Sequence, residues 1–122
     1  MPSKSFEDVD LWKRAHKWVL AVYKLTDGFP KREMFGLTSQ LRRAAISVPA
    51  NFAEGFKKAG LSDKLRFYNI AQGSAEECRY YLILARDLGY GSTNGLMDAL
   101  EEVGRLLEAY MRGLGSSLPT GY

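Results

Sequence analysis

The sequence predicts an all-α protein, an antiparallel up-down-up-down four-helix bundle with a proline-kinked second helix, and three observations carry that expectation. Apolar residues recur at spacings of three and four through four long stretches, the period of one helical face. Short runs containing Gly, Pro or Ser separate the stretches, and a short connection cannot return the chain to its starting end, so consecutive helices must be antiparallel neighbours. No strand-like alternation, phosphate-binding glycine loop or internal repeat competes.

The first helix begins near Asp8, with Leu11, Ala15, Trp18, Val22, Leu25 and Phe29 on one face and Trp12, Val19 and Tyr23 widening it. Gly28 is suited to a left-handed ending and Pro30 discourages helix at Phe29. The second helix starts near Phe35-Gly36-Leu37 and buries Leu37, Leu41, Ala44, Val48 and Gly55, with Ala45 and Phe52 beside them. Pro49 interrupts it. Proline lacks an amide hydrogen and collides with the carbonyl four residues back, but the periodicity resumes at Phe52, so the reading is a kink in one helix. Gly60 reads as a left-handed stop, with Leu61 folding back.

Ser62 is the expected N-cap of the third helix, with Asp63 at the positive end of its dipole, and the helix runs to about Leu88. Its seam is Ala71, Ser74, Cys78, Tyr81, Ala85 and Leu88, but Tyr68, Ala75 and Leu82 form a second row and Ile70 and Leu84 a third. That breadth exceeds what one flank of a bundle needs and points to self-association. Gly89-Tyr90 repeats the glycine-plus-hydrophobe stop, and Ser92 or Thr93 caps the fourth helix, whose heptads are Leu96, Leu100, Val103, Leu107, Tyr110 and Leu114. The bundle is assigned to residues 1–114 and a disordered tail to 115–122.

At 122 residues the chain is long enough for one core without disulfides or metals, and Cys78, its one cysteine, excludes an intrachain disulfide. No signal segment or membrane-length apolar run is present, so the expected setting is a reducing cytoplasm, away from membranes. The net charge of +3 is unevenly spread. Residues 1–66 hold 13 Lys and Arg against 7 Asp and Glu, whereas residues 67–122 hold 4 against 7. The asymmetry suits an anionic partner, complementary surfaces between halves or subunits, or ordinary solvated helix faces.

No residue set argues for catalysis, a cofactor or a metal. His16, the one histidine, sits at the polar edge of the first helix with no nucleophile in view, and Cys78 on the seam reads as a small buried hydrophobe. Ser47, Asn51 and Glu54 share a face of the second helix, and Ser74 and Glu77 a face of the third. Two carboxylates so placed could act as acid and base or hold a metal pair, but the Glu-x-x-His motifs of such bundles are missing. The preferred reading is a buried polar network of Arg43, Ser47, Asn51, Glu54, Ser74 and Glu77 that satisfies backbone groups freed at Pro49. The cations come as doublets: Lys13-Arg14 with Lys17, Lys31-Arg32, Arg42-Arg43, Lys57-Lys58, and Lys64 with Arg66. An oligomer would repeat them into a band that binds nucleic acid through its backbone charge.

The stretch from Gly36 to Gly55, GLTSQLRRAAISVPANFAEG, together with Phe6-Glu-Asp-Val-Asp-Leu-Trp12 and Gly73-Ser-Ala-Glu-Glu77, closely resembles the four-helix-bundle family encoded by intervening sequences inside bacterial 23S ribosomal RNA genes. The resemblance extends to about Leu114 and departs at Phe52 and Cys78, where aliphatic residues are expected. It implies a cytoplasmic bacterial homopentamer with no catalytic reaction. A relative, the accessory variability determinant of diversity-generating retroelements, is a basic pentamer that binds nucleic acid and works with a reverse transcriptase. By that likeness Arg42, Arg43, Lys57 and Lys58 join Lys13 and Lys17 as candidate nucleic-acid contacts. Two function classes stay open: a nonenzymatic oligomer that binds RNA or DNA, and a scaffold that docks a protein such as a reverse transcriptase.

Overall fold

In the computed structural model, which describes residues 5–116, the four periodic stretches form α1 (Asp10–Thr26), α2 (Leu37–Lys57), α3 (Leu61–Asp87) and α4 (Asn94–Ser116). Single 3-10 turns precede α1 at Phe6–Asp8 and α2 at Lys31–Glu33, and the described residues contain no strand. The expected tail at 115–122 overlaps the last two residues of α4; 117–122 lie outside the described residues.

The helices bundle because each must bury its apolar stripe. α1 packs on α2 and α4, and α3 on α2 and α4, with the α2–α3 contact the most extensive. The interior divides into two clusters. One joins Trp18, Val19, Val22, Leu37, Leu41, Ala45, Cys78, Leu82, Ala85 and Leu100; the other joins Leu11, Ala15, Val48, Phe52, Tyr68, Ala71, Val103 and Leu107. The Trp18 indole N–H donates to the Leu96 carbonyl at 2.9 Å, which fixes α1 against α4 while satisfying a buried donor.

α2 and α3 approach closely at Gly55. A methyl group there would stand 2.6 Å from Tyr68 Cε1 and 3.1 Å from Phe67 Cβ, so only hydrogen fits. Tyr68 fills the space and stacks on Phe52 with ring centres 5.1 Å apart, and Tyr110 closes the cluster edge-on. The helix runs through Pro49, which is itself buried.

The connections are built differently from the sequence expectation at two of three glycine stops. Only Gly89 and Gly91 have positive φ among the described residues; Gly28 does not, and Gly60 is extended at φ −86°. α3 therefore starts at Leu61, and Ser62 is already inside it. In place of a glycine cap, the Lys64 ammonium donates to the carbonyls of Phe56 at 2.8 Å and Gly55 at 3.2 Å, so a cation of α3 satisfies the end of α2. Gly89 does behave as expected: at φ 77° it lets Tyr90 N–H reach the Ala85 carbonyl and its own N–H reach Arg86, the paired bonds of a Schellman ending.

Gly55→Ala should lower stability by about 1–3 kcal/mol, because Tyr68 has no room to retreat inside a packed cluster. Urea unfolding checks this, and a midpoint equal to the parent's would refute the close-approach account.

Candidate functional site

Three of the six residues expected in a polar network are joined. The Ser47 and Ser74 hydroxyls lie 2.7 Å apart across α2 and α3, and the Asn51 amide donates to Ser47 Oγ and to the Ser47 carbonyl, both at 2.8 Å. Ser74 is buried and Ser47 and Asn51 are half-buried. Arg43, Glu54 and Glu77 stand outside, exposed to solvent. The reason is geometric: long charged side chains on this face extend readily into water, while a short serine at the α2–α3 seam cannot. Glu54 pairs with Lys58 at 3.9 Å one turn away, and Glu77 accepts from the Tyr81 hydroxyl at 3.2 Å. The expected service to the proline is also corrected, since these side-chain bonds go to the Ser47 carbonyl and none reaches that of Ala45.

The six candidate cations fall into two kinds. Lys13, Lys17 and Lys57 are exposed and have no ionic partner among the described residues, and Arg43 shares that condition. Arg42 and Lys58 are engaged at home. The Arg42 guanidinium donates to Thr26 Oγ1 at 2.7 Å and Asp27 Oδ1 at 3.0 Å and lies over the Tyr23 ring at 4.5 Å, tying α2 to the end of α1. Lys58 is half-buried between Glu54 and the ring of Phe67, 5.2 Å from its centre. Lys13 and Lys17 share a face of α1, whereas Lys57 comes from the last turn of α2.

His16 is exposed and stacks on Trp12 with ring centres 5.0 Å apart. Cys78 is fully buried and burial pushes its thiol up to about 12, so it packs and does not react. No group of three or more His, Cys, Asp or Glu among the described residues is arranged to hold a metal ion.

One feature escaped sequence reading. Phe35, adjacent to Gly36 and read simply as the start of a helix, is 93% exposed, with Met34 beside it at 56%. The corner that presents them is held firmly. The Tyr90 hydroxyl donates to Glu33 Oε2 at 2.7 Å, the Leu37 amide donates to Glu33 Oε1 at 3.1 Å, and the Phe29 and Tyr90 rings meet at 5.4 Å. Tyr23, Ile46, Lys31 and Arg43 surround the same depression, of about 490 Å³. Periodicity could not reveal Phe35, since exposure there depends on where the 3-10 turn aims the ring. Two further grooves flank α4. One, of about 960 Å³ against α1, has Trp18, Leu25, Leu96 and Ala99 in its lining with Lys17 and Lys24. The other, of about 470 Å³ against α3, has Ala75, Leu100, Val103 and Leu107 with Glu76 and Glu101.

These features define a small all-α helical bundle whose distinctive residues are surface cations and one exposed aromatic corner. The chain belongs to the 23S rRNA-intervening sequence protein family, whose model matches residues 7–109. Among solved structures, a protein of unknown function from the S23 ribosomal protein family of Bacteroides thetaiotaomicron is similar at 20% identity, with a TM-score of 0.75 over 84% of this chain and 98% of that one. That likeness carries the fold alone. No curated protein matches the chain significantly.

Asn51→Ala should cost about 1 kcal/mol, the usual net value of a hydrogen bond that water can partly replace at a half-buried site. Coincident thermal melts of variant and parent would show that the Ser47–Asn51–Ser74 set contributes nothing. For the corner, the Tyr90 hydroxyl is the first cause that holds the Glu33 pKa below its ordinary value, with the Leu37 amide second. A depressed carboxylate stabilises the fold above its unfolded pKa and loses that contribution as pH falls through the folded value. Tyr90→Phe should therefore raise the Glu33 pKa in a carboxylate NMR titration, and the stability difference from the parent should shrink as pH falls. An unmoved pKa would contradict the assignment.

Proposed function

We propose that this protein is a nonenzymatic homo-oligomer, a pentamer by likeness to its family, that binds RNA or other nucleic acid through repeated basic surface. The observation that carries the reading is that four of the six candidate cations, Lys13, Lys17, Arg43 and Lys57, are exposed without an ionic partner among the described residues, and all four lie in the half of the sequence with a net charge of +6. Each copy offers few phosphate contacts, and assembly would multiply them, which is how modest monomer charge becomes useful affinity. Arg42 and Lys58, already paired, contribute less than the sequence pattern suggests. The bundle runs up-down-up-down in this reading. Support comes from the two clusters, one drawing on Trp18 and Val22 late in α1 with Leu41 early in α2, the other on Leu11 early in α1 with Phe52 late in α2. A kink at Pro49 belongs to the same proposal, on the steric ground that proline removes one helical hydrogen bond.

The setting is the cytoplasm, which suits one buried, unreactive thiol. No helix among the described residues is long and apolar enough to cross a membrane. A second reading, a scaffold that docks a protein partner such as a reverse transcriptase, is favoured by the exposed Met34–Phe35 corner.

Replacing Lys13, Lys17 and Lys57 together with Glu should weaken binding of structured RNA and duplex DNA alike. The slope of log affinity against log salt should flatten by about 0.7–0.9 for every phosphate that the variant no longer neutralises. Titrations at two salt concentrations decide it. No binding by the parent at low salt, or equal and salt-independent binding by both proteins, would favour the scaffold.

A further inference from the structure

We propose that a second copy of the chain docks head-to-tail on the first, with the Met34–Phe35 corner of one copy seated in the groove between α3 and α4 of the next. This rests on the oligomer reading above and names the contact that builds it.

The corner has the properties of a knob. A phenylalanine at 93% exposure loses the whole hydrophobic benefit of its ring unless something covers it, and Met34 at 56% and Ile46 at 43% extend the apolar surface around it. The turn that carries the ring is anchored by Glu33 through Tyr90 and Leu37, so little order remains to be imposed on contact. Lys31 and Arg43 line the same depression without ionic partners among the described residues. The knob is therefore apolar with positive charge at its edge.

The α3/α4 groove has the complementary properties. Ala75, Leu100, Val103 and Leu107 contribute the apolar floor of a groove of about 470 Å³, with the three α4 residues belonging to the core beneath it. Gly104 opens the wall, since a methyl group there would meet nothing within 4 Å. Arg105 and Glu108 are already paired within α4, to Glu102 and Arg112. Glu76 and Glu101 have no ionic partner among the described residues and outnumber the one such cation, Arg79. The alternative seat, the larger groove between α1 and α4, presents the unpaired Lys17 and Lys24, of the same sign as the knob. Charge thus selects the α3/α4 groove.

The two surfaces give the contact its direction: the corner belongs to the connection between α1 and α2, whereas the groove is lined by α3 and α4. A contact between two different faces leaves every copy with one knob and one groove, and such a contact propagates until it closes into a ring or runs on as a filament. The opposite charges of the two halves of the chain are the long-range form of the same complementarity.

Two measurements on the full chain test this. Phe35→Glu should reduce the mass in light scattering at micromolar concentration to that of one chain, with the helical circular dichroism of the parent. The double variant Phe35→Cys with Gly104→Cys should give a ladder of covalent multimers on mild oxidation, absent from either single variant, with Cys78 silent because it is buried. A parent that is oligomeric while the double variant gives no ladder overturns the docking and leaves the oligomer reading standing. Retained mass in Phe35→Glu overturns it equally, and if that variant also loses RNA binding the corner belongs to nucleic acid. A parent of one-chain mass overturns both readings. Should Phe35→Glu fail to fold, the ladder alone decides.

Discussion

The close approach of α2 to α3 at Gly55 is the constraint on which the rest of the bundle depends. Because no side chain stands at that position, Tyr68 can lie flat in the gap and stack on Phe52, and the two helices come near enough for the Ser47 and Ser74 hydroxyls to bond at 2.7 Å. Everything else is arranged about that pair. α1 and α4 cover its two apolar edges, and Tyr110 from α4 completes the aromatic cluster that the glycine makes possible. A larger residue would separate the helices and with them the seam that Asn51 and the two serines occupy.

Charged side chains do a different job at each end of α2. At its start Arg42 directs its hydrogen bonds to Thr26 and Asp27, closing the connection from α1. At its end Lys64 satisfies the carbonyls of Gly55 and Phe56, and burial lowers its pKa as the ammonium gives up water for these bonds. Both residues belong to the basic doublets that suggest a nucleic-acid surface. Their distinct use shows that a cation in a sequence is available to a partner only when no carbonyl or carboxylate of its own fold has claimed it.

The distribution of apolar surface is likewise more telling than its amount. The breadth of α3 pointed toward self-association; of its third row Ile70 is exposed while Leu84 packs half-buried against the core, and Leu88, expected on the seam, is exposed. The sharper feature is a single turn. Phe35 stands beside a glutamate that fixes the start of α2 through the Leu37 amide and ties the corner to Tyr90, so an exposed ring is presented on an anchored turn.

The helices, their order and most of the buried seams were legible in the sequence because periodicity at 3.6 residues reports directly which side chains must leave water. Trp18, Leu41, Phe52, Cys78, Leu100, Val103 and Leu107 could all be assigned to the core on that ground alone, and the Gly89-Tyr90 ending on the chemistry of a left-handed glycine. The passage of α2 through Pro49 was legible for the same reason, since the pattern resumes beyond it. What periodicity does not encode is the partner of a polar group. Whether Arg43 turns inward or outward, whether Gly60 or Lys64 ends α2, and whether Phe35 is covered all depend on which atoms of distant segments lie within bonding reach. Those distances are fixed only when the helices pack, and so the tertiary structure alone decided them.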